Sequence, residues 1–134
     1  PHAFPYSPVR ALRLAAAMGQ DKAAIDTIFR CMWVDDLLPH EDEGWQGICA
    51  AVGIDDGDER VERQEVKDAV VANGQRAIEQ GVFGVPTFIV DETIFWGVDE
   101  TDFVLGVLAN PALMDDPEMK RIDTIPSGAK PPPG

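Results

Sequence analysis

Two short segments of this 134-residue chain carry groups that could hold a small polar ligand. At Gly97-Val98-Asp99 an apolar run gives way to a helical pattern. Free N–H groups at a helix start attract a carboxylate, and a carboxylate side chain there can hold an ammonium. Asp99 is equally suited to cap that helix. Val85-Pro86 heads the preceding apolar run, where a proline can simply start a strand. Other reactive side chains are poorly placed. Cys31 and Cys49 form no C-x-x-C pair and read as buried thiols. His2 and His40 stand far apart without Cys or carboxylate at ligand spacing, so no metal site is assigned. Ser7 could be a nucleophile but has no identifiable base, and helix capping accounts for it.

The elements that position these groups follow from periodicity. Residues 81–99, GVFGVPTFIVDETIFWGVD, hold the chain's only strand pattern. Thr87–Val90 and Thr93–Trp96 are β-branched and aromatic, and Asp91-Glu92 reads as a hairpin turn weaker than Asp-Gly. Upstream, Ser7 as N-cap and Pro8 at the first helical position open a helix with Val9, Leu12 and Ala16 on its apolar face, ending at Gly19. Arg10 and Arg13 read as solvated. Asp21 opens a second helix through Ile25, Ile28, Phe29 and Met32. A third carries Trp45, Ile48, Cys49 and Val52 up to Gly53. Residues 55–65 are strongly acidic. A long helix follows, with Val66, Ala69, Val70, Asn73, Ala77 and Ile78 facing inward and Gly81 ending it. Asn73 reads as a satisfied core amide, and Gly74 suggests close packing. After the strands, Asp99 opens a helix buried through Phe103, Val104, Val107 and Leu108, stopped at Asn110-Pro111. A short turn is expected over residues 116–122, within a loose tail covering 111–134.

Composition narrows the function. With 24 acidic and 11 basic side chains the formal charge is −13, which repels phosphate backbones and anionic lipid. Nucleic-acid and membrane partners are therefore not expected, and no apolar run approaches a bilayer span. The chain starts at Pro1 rather than Met, so it says little about targeting. Met32, Trp33 and Trp45 could line an apolar pocket, although aromatics at helical spacing more often form core.

The order is thus four helices, then strand, strand, helix. An isolated hairpin is marginal in water, and these strands show almost no polar alternation, so both faces call for cover. Further strands are implied that this chain does not contain. At this point the motif G-V-F-G-V-P-T-F followed by F-W-G-V-D resembles the C-terminal half of 2-hydroxychromene-2-carboxylate isomerases. These are relatives of kappa-class glutathione transferases within the thioredoxin superfamily. FPYSPVRALR, IFRCMWV and NPALMDDPEMKRID extend the likeness from about residue 4 to residue 128.

The resemblance implies an α/β, thioredoxin-like fold. In it a helical insertion (about 7–80) and a C-terminal strand–strand–helix unit (about 85–110) form one incomplete domain, mostly helical, within residues 1–110. A first strand–helix–strand unit would precede Pro1 and carry the Ser or Cys that activates the glutathione thiol, so the chain is expected to be a fragment. The resemblance implies a cis bond at Val85-Pro86 that leaves the Val85 main-chain groups free to pair with glutathione's cysteinyl backbone. It implies contact of Asp99, beside the Val98 N–H, with the γ-glutamyl end. Many relatives have Gln or Ser at Val98, Arg at Glu100 and Asn at Ser7. Glu100 would weaken binding unless it points away. The implied reaction interconverts a hydroxychromene carboxylate and an open-chain hydroxybenzylidene pyruvate through thiolate attack, bond rotation and thiol release. Phe4, Trp33 and Trp45 would stack on the small aromatic carboxylate substrate. A cytoplasmic location and a homodimer are further expectations. A thiol–disulfide oxidoreductase, a glutathione transferase, or an inactive piece keeping a partial glutathione half-site are the alternatives.

Overall fold

A computed structural model describes residues 1–122. They run α1 (Val9–Ala17), α2 (Lys22–Trp33), α3 (Asp42–Ala51), α4 (Gly57–Glu62), α5 (Gln64–Glu79), β1 (Thr87–Val90), β2 (Thr93–Trp96), α6 (Thr101–Ala109) and α7 (Pro117–Ile122). Short 3₁₀ turns lie at Val98–Glu100 and Pro111–Asp115. The fold is mostly helical α/β, divided into a helical unit, Pro1–Ala77, and a strand unit from Ile78 onward. The part of the expected loose tail beyond residue 122 lies outside the described residues. Residues 111–122 form the 3₁₀ turn and α7.

In the helical unit, Ala11 and Leu14 of α1 meet Ile28, Cys31 and Met32 of α2, Trp45, Ile48 and Cys49 of α3, and Val61 of α4. Full burial of side chains such as Leu14 or Ile48 contributes about 1.5–3 kcal/mol each. The α3 face is the expected one. The α1 face is not, because Ala11 and Leu14 turn inward while Val9 and Leu12 remain exposed. On α2, Phe29 is likewise exposed and Cys31 is inside. The arginines of α1 explain part of this rotation. Arg10 lies over the Trp45 ring at 4.0 Å, donates to the Pro39 carbonyl at 3.1 Å and pairs with Asp58. Arg13 binds Glu62 at 3.0 Å. Neither is the solvated cation that its residue type suggests, since a long basic stem packs as apolar surface.

Caps follow the sequence in part. The Asp21 carboxylate accepts from the Ala24 N–H at 2.9 Å, as an N-cap should. Pro8, not Ser7, takes the cap position of α1, and no side chain caps that helix. Gly19, Gly53 and Gly81 all have positive φ where helices end, which spares a Cβ clash. Three expectations for α5 fail, the first being that Ile78 faces inward, since it is 70% exposed. Gly74 faces open space, and Asn73 accepts from Arg76 at 2.7 Å rather than sitting in a core. The acidic segment before α5 is itself helical, as α4.

The strand unit pairs β1 and β2 antiparallel, with Phe88 opposite Phe95 and Thr87 opposite Trp96. Asp91 and Glu92 both take positive φ, the geometry of a tight hairpin turn. Phe95, Val104 and Val107 form its core, flanked by Phe88, Val90, Phe103, Leu113 and Met114. One face of the hairpin is thus covered. On the other, Trp96 and Ile89 stay exposed.

Candidate functional site

The hairpin register brings the two candidate segments together. The Val85–Pro86 bond is cis. Thr87 pairs with Trp96, and one step outward the Pro86 carbonyl accepts from the Gly97 N–H at 2.9 Å. Val85 therefore lies beyond the last rung, 87% exposed, and its main-chain groups have no hydrogen-bond partner among the described residues. The Thr87 hydroxyl donates to the Gly84 carbonyl at 2.6 Å and fixes the approach to the strand.

Gly97, at φ 105, turns the chain from β2 into the 3₁₀ turn Val98–Glu100. This geometry is open to glycine and strained for other residues. Val98 is 70% exposed. The helix expected to open at Asp99 begins at Thr101 instead, and the Thr101 hydroxyl donates to the Val98 carbonyl at 2.6 Å. Gly97 and Glu100 stand at the two cap positions, neither with a side-chain cap bond. Asp99 is exposed, and its carboxylate has no partner among the described residues. The capping reading of Asp99 does not hold, because the extra turn displaces it from the cap. An unengaged carboxylate beside exposed main-chain groups can bind a ligand carrying both an ammonium and an amide.

Sequence reasoning missed the neighbouring aromatics. Phe83 and Trp96 pack at 5.3 Å, both exposed, and a Cβ on Gly84 would run into the Trp96 indole. Glycine just before the Val-Pro step was the available signal, since it lets the indole lie against the main chain.

The remaining candidates belong to the helical unit. The Phe4 and Trp33 rings lie 6.2 Å apart, 73% and 51% exposed. Tyr6 meets Phe4 edge-on at 6.3 Å and stacks on His40 at 5.9 Å. Trp45 differs. It is 3% exposed and its ring is covered by Arg10, so it serves the core and offers no face to a substrate. An open cleft of about 410 Å³ is lined by Ser7, Arg10, Arg13, Pro39 and His40, but both of its arginines already hold carboxylates. Cys31 and Cys49 are free and buried, and burial raises both thiol pKa values, which keeps them protonated. No helix among the described residues is long and apolar enough to cross a membrane.

Known proteins extend this picture. The family model of the DSBA-like thioredoxin domain matches residues 5–109. The 2-hydroxychromene-2-carboxylate isomerase of Sphingobium xenophagum is 30% identical over 96 residues, covering 69% of this chain and 49% of that protein. The chain thus spans about half the length of the curated relative it matches. No solved structure matches. The antiparallel hairpin, the helix behind it and the long helical segment before it agree with that family, and the chain belongs to the DSBA-like thioredoxin domain family.

Proposed function

We propose that this chain positions glutathione and a small aromatic carboxylate for a glutathione-dependent isomerisation. The reaction is that of 2-hydroxychromene-2-carboxylate and its open-chain hydroxybenzylidene pyruvate isomer. The observation that carries the reading is the bond from the Gly97 N–H to the Pro86 carbonyl. It holds the free main chain of Val85 beside Val98 and the unengaged Asp99. These groups fit the ligand. Val85 can pair with a cysteinyl amide, Asp99 can hold the γ-glutamyl ammonium, and the Val98 N–H is placed for a carboxylate. Glutathione supplies a thiol nucleophile when bound. The chain's own thiols do not substitute for it, being buried, protonated and unpaired with each other. Taken by itself, the helical unit offers the exposed rings of Phe4 and Trp33 to an aromatic ligand. Activation of the thiol is assigned to the part of the relative that this chain does not span. The relative's identity as a 2-hydroxychromene-2-carboxylate isomerase and the sequence resemblance support the isomerase over an oxidoreductase.

The test is a titration of the ¹⁵N-labelled chain with reduced glutathione to millimolar concentration. Amide shifts are expected at Val85, Val98 and Asp99, with α1–α3 unmoved. Asp99→Ala removes one charge-assisted bond of about 1.5–3 kcal/mol and should weaken binding roughly 10- to 100-fold. Absence of shifts at these three amides would overturn the reading.

A further inference from the structure

His2 is gripped by two carboxylates from a distant part of the helical unit. Its main-chain N–H donates to Asp36 Oδ1 at 2.7 Å, its Nδ1 lies 3.0 Å from Asp36 Oδ2, and its Nε2 lies 3.0 Å from Glu41 Oε1. A neutral imidazole has one donor and one acceptor nitrogen, and an ionised carboxylate can only accept. Carboxylates at both ring nitrogens therefore select the imidazolium.

Local structure presents both partners. Asp36, at φ 59, occupies the left-handed region just after α2, which aspartate tolerates better than most residues. The Leu37 N–H ties the same loop back to the Cys31 carbonyl at 2.9 Å. Glu41 stands at the cap position of α3 yet makes no side-chain cap bond, its carboxylate being turned to His2. The other charged group nearby is Asp35, which Arg30 faces at 3.8 Å; in the 134-residue chain the amine of Pro1 also lies 3.9 Å from Asp36. Two residues beyond His2, the Phe4 ring reaches Trp33, the last residue of α2.

We propose that His2, Asp36 and Glu41 form a protonation-controlled clasp that fastens the first five residues to the end of α2 and so makes or dissolves the Phe4–Trp33 aromatic face. The consequence for substrate rests on the function proposed above; the clasp itself does not. Bonding to Glu41 and then Asp36 raises the His2 pKa above 6.5. The His2 contribution is complete below that value and is lost as pH rises through the higher folded-state pKa. The His2 main-chain N–H, above all, lowers the Asp36 pKa below 3.8, so the Asp36 contribution is present above 3.8 and lost as pH falls through the depressed value. The clasp is closed in mild acid and opens on the alkaline side. All three side chains are about half exposed, so salt weakens it.

NMR of the His2 ring and the Trp33 indole of the 134-residue chain, from about pH 5 to about pH 8, tests this without any ligand. His2 should titrate above 6.5, with the Trp33 indole resonance moving at the same midpoint. In His2→Gln the indole should keep its high-pH position throughout. In Asp36→Asn/Glu41→Gln the His2 midpoint should fall and Trp33 should cease to follow it. A Trp33 resonance indifferent to His2 titration, or a His2 midpoint at or below the ordinary value, overturns the clasp. Either result leaves the glutathione titration untouched.

Discussion

The helical unit closes around Leu14, Leu38 and Ile48, all fully buried, whereas the strand unit buries Phe95, Val104 and Val107 and leaves Val85, Val98, Leu105 and Leu108 in solvent. Burial of apolar area is the main stabilising term, so the first unit is the more robust. The groups proposed to meet glutathione sit in the second, where main-chain and side-chain groups stay unsatisfied. Stability and binding capacity are thus distributed unequally along the chain. Binding segments commonly come from the less stable end of a structure.

Substitutions can break or sharpen that contrast. The largest effect is expected for Ile48→Ala, a loss of about 2–5 kcal/mol from a sealed core, measured as a lower urea midpoint in helical circular dichroism. Amide exchange in β1 and β2 should change little; equal loss of protection there would show that the contrast is wrong. Gly84→Ala comes next. Its methyl group would meet the Trp96 indole, which is 54% exposed and must swing outward, at a cost of about 0.5–1.5 kcal/mol within the strand unit. A displaced Trp96 indole N–H resonance with unchanged α1–α3 amides is the expected signature. The smallest change is a gain. Glu92 holds positive φ in the hairpin turn, so Glu92→Gly should stabilise the hairpin by up to about 1 kcal/mol and slow amide exchange in both strands.

That turn also shows what sequence can reveal. Asp91-Glu92 between two β-branched runs was readable because turn chemistry is local. The Asp21 cap and the α3 face of Trp45, Ile48 and Cys49 were readable for similar reasons. The orientation of α1 was not, since periodicity counts residue types and cannot see Arg10 lying flat on a tryptophan. Helix α4 was hidden by its charge, although Asp58 and Glu59 in its first turn are a helix-start signal and Val61 is its buried contact. At the site, the pairing of Val85-Pro86 with Gly97 followed from the hairpin register. The freedom of Asp99 did not, because one additional 3₁₀ turn decides whether its carboxylate caps a helix or stays unengaged.

Arg10 has a consequence for how the helical unit responds to ions. The chain has 24 acidic and 11 basic side chains, and Arg10 and Arg13 draw the acidic face of α4 onto α1. Added electrolyte weakens those two attachments while also relieving the mutual repulsion of the carboxylates. The seam between α1 and α4 is therefore an electrostatic balance point. A neutral osmolyte and a simple salt that tighten the Ile48 core equally would act differently on this seam, and comparing them would separate its ionic contribution from its apolar one.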